Sequence, residues 1–175
     1  MNLPNLNRDE AALLDAAVEG ARVALAKDGE VLPLLLTMNG ENELACMPLN
    51  GAPKGAVSGI IGQIKDIYPV MFICEAWLTH VEAKPDSAIG RAVREGVANA
   101  VIPAPKDNPD RQEAVMVQFF HHQRHIVLTA IMTRAAQGSP ELGEWRVIDN
   151  SDPDARIHAT NFSEPGARLA AGDIP

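Results

Sequence analysis

Two β-prone runs, EAVMVQFF (113–120) and HIVLTAIMT (125–133), follow one another with only HHQR between them. A parallel pairing needs a crossover of a dozen or more residues, so two runs this close can pair only as an antiparallel hairpin. Setting Phe120 opposite His125 leaves His121 to Arg124 as the loop, and four-residue loops built on a type I turn tolerate most residue types. The rest of the chain must be arranged around that hairpin.

Upstream, Asn7 followed by Glu10 matches a capping box, and Leu14, Val18, Ala21 and Leu25 recur at helical spacing as far as Gly29, which predicts a helix over 8–28. VLPLLLT and ELACMPL flank MNGEN, whose Asn39-Gly40 is a strong hairpin signal, and Pro33, lacking an N–H, belongs at a strand start or on an edge. After Pro53 the residues Val57, Ile60, Ile61, Ile64 and Ile67 mark one apolar stripe of a second helix. Gly55, Gly59 and Gly62 each weaken it by about 1 kcal/mol relative to Ala, so packing has to hold it, with the glycines allowing close approach to a sheet. PVMFICEAWLTHV predicts a strand over 70–81.

Residues 83–112 read as an excursion between strands, where Asp86 or Ser87 is placed to cap a short helix carrying Ile89, Val93 and Val97, and IPAPKDNPD is loop. EWRVI supplies a last strand. Residues 151–175, rich in turn formers and without sustained period, predict an extended tail beyond a single domain over 1–150. The order α-β-β-α-β-(α)-β-β-β predicts an α+β fold, a single largely antiparallel sheet with helices packed against it. That order resembles the profilin-like and roadblock-like arrangement.

MFICEAW, the later NPDRQEAVMV and the hairpin after it resemble a family of small uncharacterised bacterial and phage proteins. In that family a strand ending in Ser-Glu-Ala-Trp is followed by a Pro-Asp-Arg segment and two strands. Cys74 stands where the pattern has Ser, and the resemblance covers about residues 30 to 135. It implies a fold and no activity.

Aromatic residues make up only 4% of the chain, so aliphatic side chains and Met must fill the core, and Cys46 and Cys74, inside apolar runs at unrelated spacing, read as buried reduced thiols. A net charge of -8 with no basic run disfavours nucleic acid and anionic membrane surfaces as partners. The N-terminus has no basic and apolar leader pattern, and no apolar run approaches the roughly 18 to 20 residues of a membrane-spanning helix. The chain is expected to be cytoplasmic.

The histidine cluster His121, His122 and His125 reads first as a solvated hairpin tip. Shifting the register by one would set His121 opposite His125 and let both reach one ion. The resulting three-residue loop, however, wants a left-handed residue where Arg124 stands, and no third ligand lies nearby in sequence. No cofactor or metal is expected. In the strand over 70–81, alternation puts Val70, Phe72, Cys74, Ala76 and Leu78 on a core face and Glu75 and Trp77 on a mixed one. In the later hairpin Val115, Val117, Phe119, Ile126, Leu128, Ala130 and Met132 form the core face, with Gln118, His125 and Thr129 on the reverse. Antiparallel pairing of these elements predicts that Glu75, Trp77, Gln118, His125 and Thr129 share one surface, suited to covering by the chain itself, to a contact between copies, or to a ligand.

Enzyme signatures fail at specific positions. GAVSGI has Ala56 and Ile60 where a nucleophile elbow needs glycine, NGAPKGAVSG lacks the Gly-Lys-Ser/Thr of a phosphate loop, and the Asp149, Asp152 and Asp154 cluster lacks the glycine and terminal Glu of a calcium loop. The leading expectation is therefore a non-enzymatic interaction or regulatory module that binds a protein partner or itself as a homodimer, through the mixed face or a sheet edge. Beside it stands a small hydrolase or ligand-binding protein using Glu75 and His125, with or without a divalent metal.

Overall fold

The computed structural model describes residues 6–39, 41, 43–52, 54–78, 111–134 and 138–149. The first helix, α1, is Arg8–Asp28, the span the sequence predicts. Asn7 caps it: its side chain accepts from the N–H groups of Asp9 and Glu10, while the Glu10 carboxylate accepts from the Asn7 N–H, so orphan donors at the helix start are satisfied. Gly29 ends it in the left-handed region, at φ 76°, where a Cβ would be strained.

The chain continues through β1 (Leu34–Met38), β2 (Leu44–Pro48), α2 (Lys54–Ile64), β3 (Val70–Leu78), β4 (Gln112–His121), β5 (Arg124–Thr133), β6 (Glu141–Leu142) and β7 (Arg146–Asp149). All strands pair antiparallel in one sheet of order β2-β1-β3-β4-β5-β6, with β7 also on β5. The fold is α+β, as the element order predicts, and Pro33 immediately precedes β1. Of the excursion expected over 83–112, residues 83–110 lie outside the described residues, as does the tail over 151–175, while Gln112 already opens β4.

Both faces of the central strands β3, β4 and β5 are buried, where the sequence suggests one core face and one mixed face. On one side Leu13, Leu14, Ala17, Ala21 and Leu25 of α1 pack on Leu36, Met71, Ile73, Val115, Val117, Phe119, Ile126 and Leu128. On the other, Ile61 with Val57, Ile60 and Ile64 of α2 covers Leu35, Val70, Phe72, Cys74, Met116 and Val127. The result is a helix, sheet, helix sandwich in which β3, β4 and β5 have apolar residues on successive positions, as strands covered on both faces must.

Three local expectations are corrected. Ile67 lies beyond α2 and is 65% exposed, because the helix ends at Ile64 and the apolar stripe ends with it. Gly59 and Gly62 do not mediate close approach: both are exposed, and a Cβ at either would meet nothing within 4 Å. Alanine at each should therefore raise stability by about 1 kcal/mol through helix propensity, read as a higher urea midpoint. An unchanged or lower midpoint would mean that these positions face the sheet. Cys46 is exposed, not buried, because β2 is an edge strand that neither helix covers.

Candidate functional site

The five residues expected to share a surface fall on opposite sides of the sheet. β3 and β4 pair with Glu75 opposite Val115, Trp77 opposite Glu113 and Phe72 opposite Gln118. Directly opposed residues share a face, so Glu75 and Trp77 lie on the α1 side. Gln118 joins Val127, Phe120 joins His125 and Met116 joins Thr129, which places Gln118, His125 and Thr129 on the α2 side. Glu75 and His125 accordingly have the sheet between them and do not converge on a common substrate position.

Glu75 braces the turn after α1. Its Oε1 accepts from the Val31 N–H at 2.8 Å and its Oε2 from Arg134 Nη2 at 3.3 Å. Arg134 also donates to Glu113 at 2.7 Å and to the Gly29 carbonyl at 3.0 Å, tying the C-terminal cap of α1 to the sheet. Burial pushes the Glu75 carboxyl above its ordinary range; the Val31 N–H and Arg134 pull it down without offsetting that, and Glu113 and Glu30 add to the rise. Trp77 is only 8% exposed, with the Arg111 guanidinium 4.0 Å from its ring centroid. It is part of the protein's own packing.

On the α2 side, buried Gln118 offers Oε1 to His125 Nε2 at 2.9 Å and its amide nitrogen to Met116 Sδ at 3.5 Å, while His125 stacks on Phe120 with centroids 4.4 Å apart. Thr129 is buried in the same face. These bonds satisfy polar groups inside an apolar layer, as burial requires.

The hairpin tip is tighter than a four-residue loop. Phe120 faces His125 as expected, but His121 also pairs with Arg124, so only His122 and Gln123 form the turn and His122 takes φ 53°. Helix α1 and the turn that follows α2 hold this tip. The His122 N–H donates to the Lys65 carbonyl at 2.7 Å, and Lys65 Nζ donates back to the His122 carbonyl at 3.0 Å. On the α1 side, Glu10 bonds His121 Nδ1 at 2.6 Å and Arg124 Nη1 at 3.1 Å. Burial alone would raise the Glu10 carboxyl, but the Asn7 N–H, the His121 hydrogen bond and the Arg124 charge outweigh it and hold it below its ordinary range.

The Glu10 cluster escapes the sequence reading, although a signal exists: Glu10 stands on the same helical stripe as Leu14, Ala17, Ala21 and Leu25, all buried. A carboxylate on such a stripe needs a cation. Among the described residues no three His, Cys, Asp or Glu side chains are grouped to hold a metal ion, and no described helix is long and apolar enough to cross a membrane.

The β2 edge is the remaining feature. Leu44, Ala45, Cys46, Met47 and Pro48 are all exposed, although none is charged. At one end of the β1–β2 ladder the Asn39 N–H donates to the Glu43 carbonyl, and at the other the Leu49 N–H donates to the Pro33 carbonyl. Antiparallel ladders alternate between bonded and non-bonded pairs. With the register Leu34 to Pro48, Leu36 to Cys46 and Met38 to Leu44, that phase turns the main-chain groups of Leu44, Cys46 and Pro48 away from β1. The opposite edge is finished by the short β6 and β7. Of the two cysteines, Cys74 is buried and its thiol is pushed up to about 12 by burial and then by the Glu75 charge, which makes it a poor nucleophile.

No family model, curated protein or solved structure matches the chain.

Proposed function

We propose that the chain is a non-enzymatic, cytoplasmic protein-interaction module that engages a polypeptide through the open β2 edge. The observation carrying this reading is a five-residue edge strand, exposed throughout, whose outward main chain at Leu44 and Cys46 offers both donor and acceptor. Main-chain bonding to a sheet edge supplies affinity for an added strand, and neighbouring side chains supply selectivity. Natural sheets blunt their edges with Lys, inward charges or bulges; β2 has only Pro48, at its end. The polar clusters of Glu10, Glu75 and Gln118 are engaged in bracing the fold, which supports binding over catalysis. The net charge of -8 favours a protein partner over nucleic acid.

A photo-crosslinking residue in place of Met47, which is 46% exposed beside the edge, is expected to give intermolecular adducts in cells several-fold above those from the same residue at Val23, on the outer face of α1. Cys46→Pro removes one outward N–H without touching the ladder to β1 and should abolish the Met47 adducts. Equal yields at the two sites, or adducts indifferent to Cys46→Pro, would refute the edge reading.

A further inference from the structure

We infer that the occupant of the β2 edge is a second copy of this chain, paired antiparallel about a two-fold axis at Cys46, so that two sheets join into one. This inference rests on the edge reading above and names its partner. The outward groups are self-complementary about that axis. Cys46 and the partner's Cys46 exchange both N–H to carbonyl bonds, and each Leu44 N–H reaches the carbonyl of the partner's Pro48. Every outward donor of the strand then has an acceptor. The missing N–H of Pro48 falls at the outer end, where the Leu44 carbonyl it would have met stays open to water. Sliding the pairing by one bonded pair toward Pro48 would set Pro48 against Cys46 in the middle of the ladder and lose a central bond, and sliding it the other way would leave only the two Leu44–Cys46 pairs inside the strand.

The side chains fit the same axis. Leu44, Cys46 and Pro48 share one face, so Leu44 meets the partner's Pro48 at each end and the small Cys46 meets its own copy at the centre, with no charge inside the strand. The acidic residues Glu41 and Glu43 lie at the β1–β2 turn. An antiparallel pairing sends the two turns to opposite ends, so these like charges do not confront each other. An isologous contact of this kind closes on itself and does not propagate. It also brings two thiols to a bonded antiparallel pair, where Cα atoms sit about 5.5 Å apart, inside the disulfide range.

The test is sedimentation of the full-length reduced chain across concentration, with mild diamide oxidation in parallel. Association to twice the chain mass is expected, retained in Cys46→Ser because the thiol is not needed. It should be lost in Cys46→Pro, and also in Cys46→Lys, which sets two cations across the axis and protects against a failure of the proline variant to fold. Oxidation should give a disulfide-linked dimer from the wild type and none from Cys46→Ser. A chain monomeric at every concentration, or a dimer that survives Cys46→Lys, would overturn the inference. If a monomer still gives Met47 adducts with a different polypeptide, the homodimer falls and the edge reading stands. If the only adducts are within one chain, the edge is covered internally and both fall.

Discussion

Phe119→Ala should destabilise the protein by about 3 to 5 kcal/mol, because deleting a fully buried phenyl removes its transfer free energy and leaves a cavity that the neighbours fill only in part. Phe119 is completely excluded from solvent on β4 and belongs to the cluster that includes Leu13, Leu14 and Ala17 of α1. The Arg124 guanidinium lies 5.6 Å from its ring centroid and His121 meets it edge-on. Loss of the ring therefore also loosens the hairpin tip. Phe120, one residue on, is half-buried on the other side, so the same truncation there should cost distinctly less. Urea denaturation of both variants gives the comparison. A Phe119→Ala loss below about 1 kcal/mol, far under the range for buried aromatics, would mean that α1 does not seal this face.

Glu10→Ala should cost about 2 kcal/mol at neutral pH. Removing one partner of a fully buried ion pair costs about 3 to 5 kcal/mol, but the His121 and Arg124 side chains keep 18% and 31% of their surface exposed, so water takes over part of the bonding. Loss of the bond to the Asn7 N–H adds a capping term. The pH dependence has a definite sign. The folded state holds the Glu10 carboxyl below its ordinary value of 4.5, so its contribution is fully present above that value and disappears as pH falls through the depressed one. Glu10→Gln keeps a capping acceptor and removes the charge. Its deficit relative to the wild type should be constant near neutrality and shrink in acid. A deficit unchanged down to the acid transition would show that the charge of Glu10 contributes nothing to stability.

Local signals account for what the sequence made legible. The Asn7–Glu10 box and Gly29 bound α1 at both ends, and the short HHQR spacer sets Phe120 opposite His125 with no long-range information. The arrangement of the mixed surface was not legible, for a reason of parity. Alternation sorts the residues within each strand into two faces, but which face of β3 aligns with which face of β4 depends on a register that no local turn fixes. Residues 79–111 separate those strands, and a shift of one residue exchanges all faces. Glu75 lies opposite Val115, not opposite Met116 on the face of Gln118, and that is the one-residue shift. The exposed β2 was missed differently: LACMP is apolar enough to read as core, and only the position of β2 outside β1 leaves it uncovered.

The bond between Glu10 and His121 joins residues 111 positions apart, and much of the surface that α1 covers is on β4 and β5. During synthesis α1 leaves the ribosome long before that surface exists. At about 5 to 20 residues per second the interval is roughly 5 to 20 s, during which Leu13, Leu14, Ala17, Ala21 and Leu25 have no β4 or β5 to bury against. Over that interval α1 has only Leu36 of β1 and Met71 and Ile73 of β3 from its final surface, so its full docking waits for the β4–β5 hairpin.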